Sequence, residues 1–257
     1  MSTNHTPKKS LGQNFLHDAR YIERIVQAID PRPGDRVVEI GPGQGALTLP
    51  LLRRHGALTV IEFDRDLVGP LAQMAEGVGE LEIIHRDVLQ VDLTALAGDG
   101  RIKLAGNLPY NISSPILFHA LEHAAVLQDM VFMLQKEVVD RMGAAHGSKV
   151  YGRLSVMLQA YCQVQPLFVV PPGAFRPAPK VDSAVVRLLP RDPATIGIGD
   201  RGHFEQVVRA AFGQRRKTLR NALRDVCTAE QFEAAGVSAD ARAEQIDVAG
   251  FIRLANA

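Results

Sequence analysis

The sequence predicts an α/β fold, a largely parallel sheet with helices on both faces, followed by a small all-helical C-terminal domain. Two observations lead to this prediction. Apolar, strand-like runs alternate with helical patterns as far as Gln135, and such alternation is typical of parallel βαβ units. Residues 190–202 are rich in Pro, Gly and Asp, as linkers are, and the patterns after them are helical.

The first predicted helix begins after Asp18, a residue type that caps helix N-termini. Ile22, Ile25, Val26 and Ile29 follow at the spacing of one helix face, and a proline-rich segment ends the helix. Further helices are predicted near residues 46–54, 66–74, 114–123 and 152–160. Strands are predicted at residues 36–40, 57–61, 81–85 and 102–106. Residues 161–168 and 183–189 are candidates for two further strands that form an antiparallel edge of the sheet. The predicted domains are residues 1–190 and 191–257.

A glycine-rich turn follows the first predicted strand of the sheet. The strand Arg36–Ile40 runs into Gly41-Pro42-Gly43-Gln44-Gly45 and then into a helix. This order is typical of nucleotide-cofactor sites, because glycine lets backbone N–H groups approach a ligand closely. Pro42 removes a donor that a pyrophosphate would use. The pattern therefore favours adenosylmethionine over NAD.

Polar residues stand at the ends of the next three predicted strands. Glu62 comes 21 residues after Gly41 and suits ribose hydroxyls, and Asp87 suits an adenine amino group. Asn107 follows the next strand. Because ligands bind at the carboxyl ends of such strands, we expect these residues to share one site.

For each acid taken singly, the alternative is a solvated loop carboxylate or a helix N-cap, and Asp66 and Asp92 are better explained in that way. Glu39 either binds the cofactor or satisfies backbone donors, and this choice stays open.

The sequence Asn107-Leu108-Pro109-Tyr110 suits methylation of an exocyclic base nitrogen. That amine needs two acceptors to turn its lone pair outward, and the Asn107 side chain and the Leu108 carbonyl provide them. Pro109 favours an extended Leu108, and Tyr110 offers a stacking face. The alternative is a simple turn after a strand.

Basic residues concentrate in the predicted helical domain. Residues 201–224 hold seven basic residues and one acid, whereas the whole chain has a net charge of +1. A phosphate backbone is the partner that such a stripe favours, and a solvated helix face is the alternative. Arg216, Arg220 and Arg224 recur four apart, as along one helix. The predicted RNA-binding residues are Arg215, Arg216, Lys217, Arg220 and Arg224, and Lys8 and Lys9 are candidates to extend the surface.

Composition fits an ordinary enzyme: 257 residues with 46% hydrophobic content allow a substantial core. An N-terminus without an apolar signal core, and apolar runs too short for a membrane span, lead us to expect a cytoplasmic location. Cys162 and Cys227 lie far apart, and we expect no metal because Cys and His spacing does not resemble a metal site. We expect a monomer.

Five motifs span almost the whole chain: Lys9–Leu16 (KSLGQNFL), Glu39–Gly43 (EIGPG), Asn107–Tyr110 (NLPY), Phe175–Ser183 (FRPAPKVDS) and Phe212–Lys217 (FGQRRK). Together, in this order, they resemble the small-subunit rRNA adenine N6,N6-dimethyltransferases. The resemblance implies a Rossmann-like class I methyltransferase sheet that uses S-adenosyl-L-methionine. It also implies dimethylation of two adjacent adenosines in the 3′-terminal hairpin of the rRNA, within a partly assembled small subunit.

The resemblance also assigns residues. The motif around Gln13 folds over the cofactor in this family, and the implied cofactor contacts are Asn14, Leu16, Gly41, Gly43, Glu62, Asp87 and Asn107. Asn107, Leu108, Pro109 and Tyr110 match the catalytic loop. Phe175 is expected to stack on the flipped adenine from the other side, although taken alone it would be a core residue.

Three alternatives stay open. A close relative would methylate large-subunit rRNA, but the basic C-terminal helices and the Phe175 motif look more like the small-subunit group. A DNA adenine methyltransferase uses similar chemistry, but it needs a base-reading domain that the sequence does not suggest. A non-catalytic assembly factor keeps the cofactor pocket with a damaged catalytic loop, and here Asn107–Tyr110 is intact.

Overall fold

The structure is a computed structural model and describes residues 8, 12–214 and 216–257. The chain divides into two compact units, Met1–Val139 with Gln165–Pro190, and Asp140–Val164 with Arg191–Ala257. The sequence analysis assigned residues 140–164 to the first domain. They belong to the second unit because helix α7 (Arg153–Tyr161) packs on helices of the C-terminal segment.

The first unit contains a seven-stranded sheet, except that the first three residues of one edge strand, 162–164, are assigned to the second unit. Its strands lie in the order β4 (Glu80–His85), β3 (Ala57–Glu62), β2 (Arg36–Ile40), β5 (Ile102–Asn107), β6 (Leu127–Gln135), β9 (Ser183–Pro190) and β7 (Cys162–Val170). The first five are parallel, and β9 pairs antiparallel with β6, which confirms the antiparallel edge. A separate two-stranded sheet joins β1 (Phe15–Leu16) to β8 (Phe175–Arg176).

Helices connect the strands of the first unit. They are α1 (Ala19–Ile29), α2 (Thr48–His55), α3 (Arg65–Ala75), α4 (Leu93–Ala97), α5 (Ser113–Glu122) and α6 (Lys136–Met142), whose last turn belongs to the second unit. Asp18 caps α1 as predicted, by accepting the N–H of Arg20. Asp92 caps α4 in the same way. Asp66 is not a cap: Asp64 caps α3, and Asp66 lies in the first turn of that helix. Strands β3 and β4 lie on one side of β2, whereas β5 and β6 lie on its other side. The strand order therefore reverses between β2 and β5, which makes this the topological switch point of the sheet.

The second unit is helical. Besides α7 it contains α8 (Pro193–Ile196), α9 (Arg201–Gly213), α10 (Leu219–Ala222), α11 (Ala229–Ala235) and α12 (Val248–Asn256). Aromatic rings pack at its centre: the Phe212 ring lies 5.9 Å from Tyr151 and 5.6 Å from Phe251. None of the helices in the described parts of the chain is long and apolar enough to cross a membrane.

The prediction of a basic stripe along one helix is wrong. Helix α9 ends at Gly213, a poor helix former, and the Lys217 N–H closes a turn onto the Gln214 carbonyl at 2.9 Å. Helix α10 is then a single turn. Arg216 and Arg220 therefore do not share a helix face.

Strands β2 and β5 approach each other closely where Asn107 is positioned. Gly106 precedes Asn107 in β5, and a Cβ at Gly106 would lie 2.4 Å from the carbonyl oxygen of Ile40. That neighbour is backbone in the middle of the sheet, so it cannot rotate away. Only glycine lets the two strands pair here.

We expect Gly106→Ala to lower the free energy of unfolding by about 1–3 kcal/mol, the usual cost of overpacking a close-packed interior. Urea unfolding measures this loss. Gly100→Ala is the matched control, because its Cβ would lie 3.6 Å from the nearest atom, the Ala97 carbonyl oxygen. Equal losses in the two variants would contradict the close approach.

One acidic side chain lies inside the apolar strand β2. Glu39 is 1% exposed, and its Oε2 accepts the hydroxyl of Thr48 at 2.7 Å. Burial raises the pKa of Glu39 to about 8; the bond from Thr48 opposes this rise, and the nearby Glu62 carboxylate adds to it. The folded protein therefore holds a neutral carboxyl group at this position at neutral pH.

Glu39→Gln should make stability less dependent on pH. In the unfolded chain Glu39 ionises near the ordinary value of 4.5, but in the folded protein it keeps its proton to about 8. Stability is thus lost as the pH rises from the first value to the second, and glutamine, which does not titrate, avoids the loss. We expect the variant to gain on the order of 4 kcal/mol relative to the parent over this interval. Urea unfolding at several pH values checks it, and a difference that does not vary with pH would refute the raised pKa.

Candidate active site

A cleft of about 750 Å³, part of it open to solvent, lies at the carboxyl ends of β2, β3 and β5. This is the topological switch of the sheet, where open α/β folds bind ligands. The lining comes from the N-terminal segment 12–16, the glycine loop after β2, the end of β3 and the segment after β5. Site residues predicted from the sequence that line the cleft are Asn14, Leu16, Gly41, Gly43, Glu62, Asn107, Leu108, Pro109 and Tyr110.

Two of the residues predicted for cofactor binding and catalysis, Asp87 and Phe175, do not line this cleft. Asp87 is half-buried beyond the end of β4, and its carboxylate accepts the N–H of Leu89 at 3.0 Å, which caps a short 3₁₀ turn. Phe175 is 2% exposed and packs in the hydrophobic core, because β8 pairs with β1 and sets Phe175 opposite Leu16. In this structure its ring is not presented to a base, so the predicted stacking requires β8 to move.

The glycine loop needs its glycines for conformation. Gly41, Gly43 and Gly45 have φ angles of 67°, 55° and 78°, which L side chains rarely adopt. A Cβ at Gly43 would also lie 3.1 Å from the Phe15 ring. The N–H groups of the three glycines are already bonded, to the Ile61 carbonyl, the Glu62 carboxylate and the Pro42 carbonyl. The missing Cβ atoms therefore let the loop keep this bonded shape at the wall of the cleft.

Glu62 anchors the loop. Its Oε2 accepts the Gly43 N–H at 3.1 Å, and its Oε1 accepts the Asp64 N–H at 2.7 Å. Burial raises the pKa of Glu62, while these backbone donors oppose the rise. The carboxylate is thus held in one orientation, with lone pairs left to accept hydroxyl groups from a ligand.

The N-terminal segment is fastened beside the cleft by polar contacts. Asp64 accepts from Gln13 Nε2 at 2.9 Å and from Lys8 Nζ at 2.6 Å, and Lys8 also reaches Asp66 at 2.7 Å. Burial alone would raise the pKa of Asp64, but the bonds from Lys8 and Gln13 prevail and lower it. Lys8 therefore pairs with acids rather than extending a basic surface, and Lys9 lies outside the described residues.

The loop after β5 presents two acceptors. Asn107 Nδ2 donates to the Asn14 carbonyl at 3.0 Å, which orients the amide, and the Leu108 N–H donates to the Met133 carbonyl at 3.0 Å. Within the described chain, neither Asn107 Oδ1 nor the Leu108 carbonyl accepts a hydrogen bond. Two acceptors from neighbouring residues are what an exocyclic amine needs.

Tyr110 is held at its hydroxyl end. Its oxygen lies 2.6 Å from Ser183 Oγ, the first residue of β9, and burial raises the pKa of the Tyr110 phenol. The hydroxyl group thus stays protonated and bonded at neutral pH. The ring lines the cleft beside Asn107 as a rigid apolar face.

Asp64 is a site residue that the sequence patterns did not indicate. They also did not indicate a hydrogen-bond partner for Gln13. Asp64 is 3% exposed, and it links the turn after β3 to the N-terminal segment. Its position just before a helical pattern was a capping signal. The contact with Gln13 had no local signal.

The predicted RNA-binding residues lie in the second unit, and those described are exposed. Arg220 pairs with Asp240 at 3.3 Å and Arg224 with Asp225 at 3.2 Å. Arg216 and Lys217 have no ion-pair partner among the described residues. Arg215 lies outside the described residues.

Comparison with known proteins shows the family of this chain. A family model described as ribosomal RNA adenine dimethylase matches residues 4–257. Proteins named ribosomal RNA small subunit methyltransferase A are similar throughout: one from Xanthomonas oryzae pv. oryzae is 75% identical over 97% of this chain and 95% of its own. One from Xanthomonas campestris pv. campestris is 74% identical over the same shares.

Solved structures share the fold. A dimethyladenosine transferase from Plasmodium falciparum has a TM-score of 0.79 and 24% identity, over 93% of this chain and 95% of that one. The 23S rRNA methyltransferase ErmE has a TM-score of 0.71 and 26% identity, over 95% and 98%. The match of the family model and the identity to its members extend over nearly the whole chain. The chain therefore belongs to the ribosomal RNA adenine dimethylase family.

Proposed function

We propose that this protein transfers methyl groups from S-adenosyl-L-methionine to N6 of two adjacent adenosines in the 3′-terminal hairpin of small-subunit rRNA, dimethylating each. The observation that carries the proposal is the pair of acceptors, Asn107 Oδ1 and the Leu108 carbonyl, beside the glycine loop in one cleft. The substrate is a partly assembled small subunit, and the protein acts as a cytoplasmic monomer. Relatives named for the small subunit support this choice of RNA at 75% identity, against 26% for ErmE.

The cleft fits adenosylmethionine. Gly41 and Gly43 add no side chain of their own to the cleft, and Glu62 offers an oriented carboxylate to the ribose hydroxyls. Asn14 and Leu16 close the cleft from the N-terminal side. When bound, the cofactor supplies an electrophilic methyl group with a good leaving group.

The protein's own part in the reaction is to hold the base. Asn107 Oδ1 and the Leu108 carbonyl accept the two N6 hydrogens, which turns the nitrogen lone pair outward and stabilises the positive charge that develops there. A strong general base is not needed. Tyr110 stacks on the ring and is braced by Ser183. An adenine that is stacked in a hairpin must leave its stack to lie beside Asn107 and Leu108 in the cleft.

A non-catalytic role in subunit assembly is the second candidate function. The exposed basic residues Arg216 and Lys217 support it, since they suit a phosphate backbone whether or not methyl transfer follows. The two roles are compatible in one protein. Methyl transfer and subunit binding are therefore measured separately.

Asn107→Ala should reduce methyl transfer by about 100-fold or more, because it removes an acceptor aligned with the developing charge. The assay uses labelled adenosylmethionine and small subunits from cells lacking the modification, followed by digestion and detection of dimethyladenosine. Binding to the subunit should be unchanged, and Asn221→Ala, an exposed change in α10, is the matched control. Turnover close to that of the parent protein would refute the mechanism.

Reversing charge at Arg216 and Lys217 should weaken subunit binding and flatten its dependence on salt. The log–log slope should fall by roughly 0.7–0.9 for each phosphate that the protein no longer neutralises. The same reversal at Arg220 and Arg224 should cost less, since acidic neighbours already engage these two residues. Affinity measured over a salt series compares the two variants. An unchanged slope for the first would mean that this surface is merely solvated.

A further inference from the structure

We propose that the C-terminal end of α5 carries a binding site for a divalent transition metal. His119, Glu122 and His123 are its ligands, and Zn²⁺ is the ion that they suit best. One ligand atom from each of these residues lies within 4.8 Å of the others. None of the three lines the cleft. The proposal revises the sequence-based expectation that the chain has no metal site.

The three residues are spaced to share one helix face. His119, Glu122 and His123 stand at i, i+3 and i+4, and residues with this spacing are neighbours on a helix. Their order, His-x-x-Glu-His, is also that of a zinc-peptidase motif in which the two histidines bind the metal. Two imidazoles and a carboxylate are a donor set that suits Zn²⁺.

His119 is already oriented for coordination. Its Nε2 lies 2.9 Å from the Val91 carbonyl oxygen, and since a carbonyl only accepts, Nε2 carries the proton. The lone pair of the neutral ring is then on Nδ1, the atom that lies 3.8 Å from Glu122 Oε2. A backbone carbonyl behind the ring is a common partner of metal-binding histidines, because it sets the tautomer and raises the basicity of the ligand.

His123 is held from the other side. Its Nδ1 lies 3.0 Å from Thr94 Oγ1 and 3.8 Å from Asp92 Oδ1. His123 is also the C-cap residue that follows α5, where the helix dipole favours a cation. The His119 and His123 side chains are only 13% and 17% exposed, so little freedom is lost when a metal binds.

The expected role is structural. Helix α5 begins just after the Asn107–Tyr110 segment, and the site joins its far end to the segment around Val91–Thr94 through the contacts above. A bound metal would therefore fix the helix that follows the catalytic loop without entering the cleft. Zinc should raise the melting temperature of the protein.

The test uses full-length protein stripped of metal with a chelator and titrated with Zn²⁺ by calorimetry. We expect one saturable site, and His119→Ala, His123→Ala and Glu122→Ala should each weaken it at least about 10-fold. The Glu122 side chain is 64% exposed, so Glu122→Ala should fold normally. Weaker zinc binding by this variant therefore reports on the site and not on misfolding. His85→Ala, an exposed histidine on β4, is the matched control and should bind as the parent does.

A second readout is the melting temperature, which zinc should raise in the parent and in His85→Ala but not in Glu122→Ala. Binding that all three site variants retain would overturn the proposal. So would zinc binding that disappears only when Cys162 and Cys227 are blocked, or titrations without a saturable site.

Discussion

A single buried carboxylate organises the candidate active site. Glu62 binds the N–H groups of Gly43 and Asp64, so the glycine loop and the turn before α3 are both tied to the end of β3. Asp64 in turn holds Gln13 and Lys8. The shape of the cleft thus depends on one chain of hydrogen bonds. The bonds at the buried Glu62 lie in a region of low dielectric, where they are strong and costly to break.

Sequence patterns predicted the sheet and the gathering of Gly41, Glu62 and Asn107 at one edge, because parallel strands place their carboxyl ends on the same side. They did not predict the contact between Gln13 and Asp64, which are 51 residues apart and linked by no local pattern. Burial of such pairs is decided by packing across the whole unit. Family resemblance alone pointed to the N-terminal segment.

In the basic region, a local pattern was present but predicted the wrong structure. A spacing of four residues indicates a helix face only if the helix is continuous, and the break after Gly213 removes that condition for Arg216 and Arg220. Charge composition was the firmer signal, since it does not depend on secondary structure. Phe175 shows that a residue within a recognisable motif can pack in the core, where the motif alone does not reveal its burial.

The contact between Tyr110 and Ser183 joins residues 73 apart in sequence and spans the edge of the sheet where β9 adds to β6. During synthesis, the five parallel strands emerge before β9 exists, so β6 is left with an unpaired edge. The aromatic wall of the cleft gains its hydroxyl anchor only when Ser183 arrives. The polypeptide therefore completes the Tyr110 side of the cleft late, and a nascent chain that stops before β9 would have the glycine loop without this brace.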